Sequence, residues 1–411
     1  MSLEECPRSG LENAGLGYSG PKMNPGPTVF SQIMAGVDHT ELARAAARFP
    51  MPRASRSLRV YDHFAAMVFA QLTYRTSLRD IEACLRSRPA RAYQMGIRGR
   101  ATRTNLAYAN EHRDWRVFAD VAAILMRRAR RLYGETPFEL GLEADLFALD
   151  ATLIELSLAL CPWARWQQEQ ASVKLNVLLD LRDDIPVFAS LHEGNRHEVA
   201  SLDEIPVYPG AYYAIDRGYV HFLRLHRLHA AGAFFVTRLK AGIRYYVAAS
   251  KPVDETVGLR CDQTIRLNSR KGRLEYPDAL RRISYVDPEN GQSLVFLTNQ
   301  FELAALLIAQ IYRRRWGIEN FWKWLKQHLR LRGFFSTSPN GVRVQIWSAL
   351  CTYLLVAIAK HQKHLVGSLY EILQIVSVSS LEQIPLEELV VKVDTRTDEV
   401  GIPKQLEINY S

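Results

Sequence analysis

Four polar residues recur on one side of a helix that the sequence predicts over residues 312–332. They are Tyr312, Arg315, Glu319 and Lys326. At about 100° per residue, all four fall within about 60° of one another on a helical wheel. The segment has seven Lys and Arg residues around one acid, Glu319. A single carboxylate among so many cations is typical of a site that binds both a metal ion and phosphates.

An apolar stripe borders this polar row, so the same helix is predicted to bury one side. The stripe consists of Ile318, Phe321, Leu325 and Leu329. An ordinary surface helix would instead place its charges opposite the stripe and balance their signs. The polar row therefore lies at the margin of the buried core, where a binding site can form.

Two further acids follow short apolar runs that are predicted as strands. Asp150 ends the run 146–150, and Asp216 follows the run 211–215. An aspartate at the end of a strand is commonly only a turn former. Taken alone, therefore, neither Asp150 nor Asp216 is assigned more than that structural role.

The elements that position these acids alternate between strand and helix patterns. After the first strand come a predicted hairpin (173–181 and 186–191), a strand (211–215), a helix (219–231) and a strand (233–239). Residues 241–300 are predicted to be β-rich, and helices resume from residue 303. This order indicates an α/β fold with a mixed sheet and not a repeating β–α unit.

Positive charge is concentrated in residues 41–134. This region has 19 Arg, no Lys and seven acids, a net charge of +12, whereas the whole chain carries +9. Arginine presents a planar fork to phosphates and base edges, so this composition favours contact with DNA. Short helices are predicted at 78–85, after the N-cap Ser77, and at 105–112, after Thr102 or Thr104.

The predicted turn and the start of its second helix carry four residues suited to DNA recognition. They are Arg98, Arg100, Arg103 and Asn105. Short helices joined by a glycine-containing turn suit a helix-turn-helix motif. An ordinary helical bundle accounts for the same pattern equally well.

Composition excludes several classes of protein. A hydrophobic content of 48% and a charged content of 23% exclude wholesale disorder, collagen and coiled-coil arrays. The five cysteines, at 6, 84, 161, 261 and 351, form no metal or redox pair and are predicted to be reduced. The longest uncharged apolar stretch, 346–359, is shorter than a membrane span and is predicted to be a buried helix. His192 and His197 match no metal motif and are interpreted as structural or DNA-facing.

The spacing Tyr312, Arg315, Glu319, Lys326 resembles the Tyr-Arg-Glu-Lys signature of the bacterial insertion-sequence-four family of DDE transposases. The likeness extends from about residue 23 to about 385. Segments 149–152 and 215–219 resemble the family's two aspartate motifs, and 236–240 resembles the strand that follows. Segments 28–32 and 73–82 resemble the N-terminal domain of one branch. Ala151 departs mildly from the pattern, where Ser or Thr is expected.

The resemblance implies a ribonuclease-H-like core, in which Asp150, Asp216 and Glu319 are catalytic and bind two Mg²⁺ ions, with Mn²⁺ as a possible substitute. It implies DNA contacts by Tyr312, Arg315, Lys326, Arg217, Arg238 and Lys240. Trp316 and Trp324 project away from the apolar stripe and could contact DNA, with no stacking role assigned. The partners implied are terminal inverted repeats and target DNA, bound by a homodimer in the bacterial cytoplasm near the nucleoid, with no membrane.

The predicted organisation has six parts. They are a disordered leader (1–22), a helical Arg-rich DNA-binding domain (23–135), the first part of the catalytic core (140–240), a β-rich insertion (241–302), the helical end of the core with the Glu helix (303–381), and a C-terminal tail (382–411). The predicted function is cut-and-paste transposition by hydrolysis and strand transfer at terminal inverted repeats, with or without a hairpin intermediate. A catalytically silent or recruited DNA-binding copy is the alternative, and a junction or repair nuclease on the same fold is a third hypothesis.

Overall fold

Helices open the chain and a large sheet follows. The computed structural model describes residues 26–51, 57–134, 141–167, 170–288, 291–329 and 333–390. The predicted leader 1–22 and residues 391–411 of the predicted tail lie outside these ranges. The N-terminal helices are α1 (Val29–Met34), α2 (His39–Arg48), α3 (Val60–Leu72), α4 (Leu78–Ser87), α5 (Pro89–Gln94), α6 (Arg103–His112) and α7 (Arg116–Tyr133).

Local capping explains where the short N-terminal helices begin. The Ser77 hydroxyl accepts from the Asp80 N–H at 3.1 Å, which confirms the predicted N-cap of α4. The Thr102 hydroxyl accepts from the Asn105 N–H at 3.2 Å, so Thr102 and not Thr104 caps α6. Helix α6 begins at Arg103, two residues before the predicted start.

Ten strands and two helices form the middle of the chain. They are β1 (Leu146–Leu156), β2 (Arg165–Gln167), β3 (Gln170–Asp180), β4 (Ile185–Glu193), β5 (Tyr212–Ile215), α8 (Phe222–Ala230), β6 (Phe234–Arg238), β7 (Tyr245–Lys251), β8 (Leu259–Leu267), α9 (Arg270–Glu275), β9 (Leu280–Val286) and β10 (Ser293–Thr298). The chain continues into α10 (Ala305–Arg314), α11 (Trp316–His328), α12 (Pro339–Gln362) and α13 (Leu369–Ser379).

All ten strands belong to one mixed sheet. The order is β2-β3-β1-β5-β6-β10-β9-β8-β7, with β4 also paired to β3. Strands β1, β5 and β6 are parallel, and β3 runs antiparallel to them. Strand β4 pairs antiparallel with β3 and therefore runs in the same direction as β1. The predicted α/β class with a mixed sheet and an N-terminal helical region is therefore confirmed. The β-rich stretch after β6 is not a separate sheet, because β10 pairs directly with β6.

Two layers of helices cover the sheet. We call the face that contacts α10, α11 and α12 the active face, and the opposite face, which packs on α8 and α9, the α8 face. Successive residues of a strand point to opposite faces. Ala148 and Ala214 accordingly belong to the apolar cluster of the active face, and Leu149 and Ile215 to that of the α8 face.

Helix α12 lies in the centre of the active-face core. It is long and apolar enough to cross a membrane, but 94% of its most apolar stretch is buried inside the fold. The apolar stretch 346–359 is thus a buried helix, as predicted. Residues 382–390, assigned to the C-terminal tail from sequence, also pack in the fold: Leu386 and Val390 are buried.

Two predictions about the elements around the acids are wrong. The strand predicted to end at Asp150 continues to Leu156, because β3 pairs with it along its whole length. The single helix predicted over 312–332 is divided at Arg315 into α10 and α11, and α11 ends at His328.

Candidate active site

Asp150 and Asp216 lie on neighbouring parallel strands and point to the same face. Leu149 of β1 pairs with Ile215 of β5, so Asp150 and Asp216 are the next positions in this register. Alternation along both strands then turns the two carboxylates to the active face, beside Ala148 and Ala214. Sequence positions 66 residues apart are in this way brought side by side by strand pairing.

The Asp150 carboxylate lies in a half-buried position beneath α11. The Trp322 indole N–H donates to Asp150 Oδ2 at 3.1 Å, and the Trp322 side chain is itself buried. Burial raises the pKa of Asp150 to about 6, although the Ala151 N–H, the Trp322 indole and the Arg315 charge oppose the increase. The surrounding hydrogen bonds and the Arg315 charge therefore offset only part of the cost of burying the negative charge at Asp150.

The Asp216 carboxylate has a different environment. It accepts hydrogen bonds from Arg238 Nη2 at 3.1 Å, from the Tyr312 hydroxyl at 3.3 Å and from the Gly218 N–H at 3.3 Å. Burial opposes the charge, but the Gly218 N–H and the Arg238 guanidinium outweigh it and hold the pKa of Asp216 below its ordinary value. Asp216 is therefore ionised over the whole physiological range of pH.

Glu319 is held by the arginine at the junction between α10 and α11. Arg315 Nη2 donates to Glu319 Oε1 at 2.7 Å, one helical turn away. Arg315 is 7% exposed, and its charge also acts on Asp150 and Asp216. One guanidinium thus interacts with all three acids.

The Tyr312 ring completes this network between two arginines. The guanidinium carbons of Arg238 and Arg315 lie 5.9 and 5.6 Å from its centroid, and Phe296 packs on it at 5.2 Å. Burial raises the pKa of the Tyr312 hydroxyl, which remains a hydrogen-bond donor. Tyr312 therefore contacts both Asp216 and Arg315, and Arg315 in turn holds Glu319.

The carboxylates of Asp150, Asp216 and Glu319 are suitable ligands for a hard divalent cation, but they do not converge on one position. Three carboxylates and no thiol or imidazole suit an oxygen-seeking ion. Among the described residues, however, no three His, Cys, Asp or Glu side chains lie close enough to share a metal ion. Glu319 is instead turned to Arg315, and Asp150 to Trp322.

A cleft of about 930 Å³ opens beside Glu319. Its charged lining residues are Arg182, Arg238, Arg313, Arg314, Arg315, Asp184, Asp287 and Glu319. Five guanidiniums against three carboxylates favour an anionic ligand such as a phosphodiester. Trp316, which is 59% exposed, stands on the same rim, in agreement with its predicted outward direction.

The remaining basic residues predicted near the acids lie at the edge of the site. Lys326 is half-buried on α11, seven residues after Glu319. Arg217 and Lys240 are exposed just beyond the ends of β5 and β6. Trp324 is not directed to solvent: it packs edge-on against Tyr353 at 4.7 Å, because α11 lies closely on α12 at this point.

The residues predicted for DNA recognition in the N-terminal region form a separate group. Arg98, Arg100 and Arg103 are exposed around the turn before α6. The Arg98 guanidinium lies 5.0 Å from the Tyr93 ring centroid. The Asn105 amide donates to the Arg100 carbonyl at 2.8 Å, so Asn105 holds the turn in shape. In the described residues, none of the four contacts the three acids.

Two residues that position the site were missed from the sequence. Trp322 falls at about 280° on the helical wheel, next to Arg315, and that angle could have identified it as a neighbour of the acids. Gly317 allows α11 to approach the β3–β4 turn: a Cβ there would lie 2.8 Å from Asp184 Oδ1 and 3.0 Å from Leu181 Cδ2. No feature of the sequence indicates this contact.

Comparison with known proteins agrees with the geometry. The family described as "Transposase DDE domain" matches residues 141–355, and a domain of unknown function, DUF4372, matches residues 25–98. The Sinorhizobium fredii protein y4zB, named as a transposase, is 34% identical over 62% of this chain and 70% of its own length.

Two insertion-sequence proteins are more distant relatives. The Geobacillus stearothermophilus protein named for element IS5377 is 26% identical over 57% of this chain and 61% of its own length. The Synechocystis protein named for element IS4SA is 24% identical over 60% of this chain and 69% of its own.

Among solved structures, the cryo-EM synaptic complex of piggyBac transposase with hairpin DNA has a TM-score of 0.41 at 10% identity. It covers 92% of this chain and 82% of that one. The Transposase DDE domain match, by contrast, spans more than half of the 411 residues. Taken with the transposase-named relatives, that match shows that the chain belongs to the transposase DDE domain family and is a DNA transposase of the insertion-sequence type.

Proposed function

We propose that this transposase cuts and joins DNA at the ends of its element through Asp150, Asp216 and Glu319. The observation that carries the proposal is the register of β1 and β5, which sets two carboxylates side by side on the active face. Helix α11 supplies the third carboxylate from the layer above. The family relationship supports divalent-metal chemistry, and Mg²⁺ in a two-ion arrangement is our specific proposal.

The strand order supports a ribonuclease-H-like core. Strands β4, β3, β1, β5 and β6 are neighbours in this order, and of these five only β3 runs antiparallel to the others. The two aspartates lie on the central pair of this set. The further strands β7 to β10 widen the sheet beyond β6 and bring the chain back to α10.

The carboxylates would bind the metal ions. Such ions lower the pKa of the attacking water or hydroxyl and stabilise the negative charge on the leaving oxygen. Asp150 and Asp216 fit this role as oxygen donors on adjacent strands, and the undercompensated charge at Asp150 favours a cation. Glu319 would complete the set after turning from Arg315. In hydrolysis a water oxygen bonds to phosphorus and the bond to the 3′ oxygen breaks, which leaves a 3′-hydroxyl. In strand transfer the oxygen of that hydroxyl would bond to a phosphorus of the target, and the target's own bond from phosphorus to the 3′ oxygen would break, which leaves a 3′-hydroxyl on the target strand.

The basic residues of the cleft would neutralise the DNA backbone. Arg315 and Arg238 now engage carboxylates, and both present guanidinium forks suited to phosphate oxygens. Tyr312 would donate to a phosphate, and Lys326, Arg217 and Lys240 would contact the flanking backbone. The exposed arginines before α6 would bind the inverted repeat, with the protein acting as a homodimer at the nucleoid.

One observation favours a second candidate function. Arg315 is paired with Glu319, and among the described residues the three acids do not lie close enough to share a metal ion. A protein that kept this arrangement would bind DNA without cutting it. The two functions differ in a single measurable property, which is metal-dependent cleavage.

The test is cleavage of a plasmid that carries the gene's own flanking DNA, with Mg²⁺ or with EDTA. Asp216→Asn is compared with wild type, and the exposed Asp278→Asn on the α8 side serves as a control with the same charge change. We expect double-strand breaks at the element's ends from wild type and Asp278→Asn, and none from Asp216→Asn. Binding by all three proteins without any cleavage would contradict the catalytic proposal and support the second function.

A further inference from the structure

A basic recess lies outside the site described above, where α7 meets the start of β1 and the β3–β4 turn. We call it the α7 recess. Its volume is about 510 Å³. Its lining residues are Arg127, Arg130, Arg131, Gly134, Asp145, Asp180 and Arg182. Neither the family signature nor the predicted helix-turn-helix involves these residues.

Two of its arginines are fixed by the fold. Arg130 Nη2 donates to Asp145 Oδ2 at 2.7 Å and its guanidinium lies 4.2 Å from the Tyr208 ring centroid. Arg182 also pairs with Asp145 and donates to the Gly134 carbonyl at 2.6 Å. One carboxylate is therefore shared by two guanidiniums. The Arg182 Nε–H is buried and has no partner among the described residues.

The other acid in the recess compensates little of this charge. Burial is the main influence on Asp180 and raises its pKa above the ordinary value. The recess thus contains four guanidiniums and two carboxylates. Asp145 is already paired with two of the guanidiniums, and burial disfavours the ionised form of Asp180. A net positive charge remains at its base.

Arg127 and Arg131 add two open charges at the rim. Both are exposed, and they lie one helical turn apart on the same side of α7. Within the described part of the chain neither forms an ion pair or a side-chain hydrogen bond. Neighbouring Arg128, by contrast, is bound to Glu41 at 3.1 Å and to the Gly36 carbonyl. Arg128 and Arg130 of this helix thus form contacts within the fold, whereas Arg127 and Arg131 point away from it.

The α7 recess adjoins the catalytic cleft at Arg182. Arg182 lines both, and it follows Leu181, which lies in the cleft beneath Gly317. The arginines therefore form a path from Arg315 through Arg314 and Arg182 to the α7 pair. A linear anion that leaves the cleft on this side meets positive charge along its course.

We propose that the α7 recess binds the phosphodiester backbone of DNA that extends from the catalytic cleft, with Arg127 and Arg131 as its direct contacts. This inference rests on the proposed function, since it concerns the same DNA. The contact is with phosphates, because guanidiniums line the recess. It is independent of DNA sequence, since phosphates carry no base information and the face of the Tyr208 ring, on which a base could stack, is covered by Arg130.

The test measures DNA binding in EDTA, so that cleavage plays no part. Wild type, Arg127→Ala/Arg131→Ala and the control Arg270→Ala/Arg273→Ala are titrated with a duplex from the element's end, long enough to pass beyond the cleft. The control removes two exposed arginines from α9, on the opposite face of the sheet. Thermal unfolding of each protein verifies that it is folded.

The expected readout is the slope of log affinity against log salt concentration. Each phosphate contact contributes about 0.9 to this slope, so the α7 variant should lose about 1.8 and bind roughly 10- to 60-fold more weakly at 0.1 M salt. The loss should be the same for an unrelated duplex of equal length. Arg127→Lys/Arg131→Lys should retain most of the slope.

Three results would overturn the inference. They are an unchanged slope in the α7 variant, an equal loss in the α9 control, or a loss confined to the element's own sequence. Failure of the proposed catalytic function is distinguishable, because wild type would then bind in EDTA with the expected slope but leave the plasmid uncut in Mg²⁺.

Discussion

Asp150 and Asp216 are neighbours with opposite electrostatic environments. Burial under Trp322 raises the pKa of Asp150 to about 6, whereas the Gly218 N–H and Arg238 hold that of Asp216 below its ordinary value. Pairs of acids whose pKa values are driven apart are typical of catalytic sites. The charge at Asp150 is costly to the folded protein unless a cation binds to it.

This cost predicts that Asp150→Asn stabilises the metal-free protein. The folded-state pKa is raised, so the unfolded chain ionises first and stability falls as pH rises from about 4 to 6, then stays low. We expect Asp150→Asn to gain roughly 1–3 kcal/mol at pH 8 and about half of that at pH 5. Urea unfolding in EDTA at both pH values measures the difference.

The exposed Glu155 on the same strand provides the matched control for that experiment. Glu155→Gln removes one charge where burial is absent, so its stability should stay near that of wild type at both pH values. An Asp150→Asn variant that is less stable than wild type at pH 8 would contradict the assigned environment of Asp150.

At the scale of single residues, the sequence predicts the acids but not their partners. The spacing of Tyr312, Arg315 and Glu319 was sufficient to place them together, because one helical repeat relates them. Trp322 and Gly317 depend on what α11 meets across the core, and a sequence read alone does not define that surface. Ala151, which departs from the resemblance, follows Asp150 on β1 and by alternation points to the opposite face of the sheet.

Among the elements, the α10–α11 pair shows how a local break serves the site. Arg315 retains helical backbone angles at the junction, so the polar row stays nearly aligned although the helix is divided. The helical wheel therefore correctly placed Tyr312, Arg315 and Glu319 together, whereas the predicted single helix was wrong. Strand β1 shows the opposite error: Asp150 suggested a strand end, but pairing with β3 carries the strand six residues further.

Gly317 is predicted to set the distance between α11 and the β3–β4 turn. In Gly317→Ala the new Cβ would meet Asp184 Oδ1 at 2.8 Å and Leu181 Cδ2 at 3.0 Å, so the helix or the turn must move. We expect a loss of roughly 1–3 kcal/mol from overpacking, less up to about 1 kcal/mol of gained helix propensity. Cleavage should fall as well, because Glu319 lies two residues away.

The matched control is Gly333→Ala, where a Cβ meets no atom of the described residues within 4 Å. Chemical unfolding and plasmid cleavage are measured for both variants. Gly317→Ala with wild-type stability and cleavage would indicate that the turn yields freely, and that α11 is positioned by its contacts with α12 instead.

Across the whole molecule, the N-terminal helices and the sheet share one apolar core. Helices α3, α6 and α7 pack on α12, and the Asn340 side chain bonds to the Asn110 carbonyl at 2.8 Å, the Arg113 carbonyl at 2.7 Å and the Trp115 N–H at 3.1 Å. The start of α1 is joined to the end of the fold, since the Val29 N–H donates to the Glu382 carbonyl at 2.9 Å. Sequence composition separates an Arg-rich region from the rest, but it does not report such shared packing.

The shared core predicts that residues 141–390 do not fold cooperatively without the N-terminal helices. Removal of residues 26–134 would expose the side of α12 that carries Trp347 and Cys351, both now buried. Each large apolar side chain so exposed costs about 1.5–3 kcal/mol, and a handful of them exceeds the stability of a typical domain.

The fragment 141–390 should therefore bind an apolar dye and unfold without a sharp transition, whereas the chain 26–390 melts cooperatively. Addition of residues 26–134 as a separate chain should restore the transition in part. A sharp, dye-free transition in the fragment alone would mean that α12 is stabilised by the sheet, and that the Arg-rich helices are an appended module.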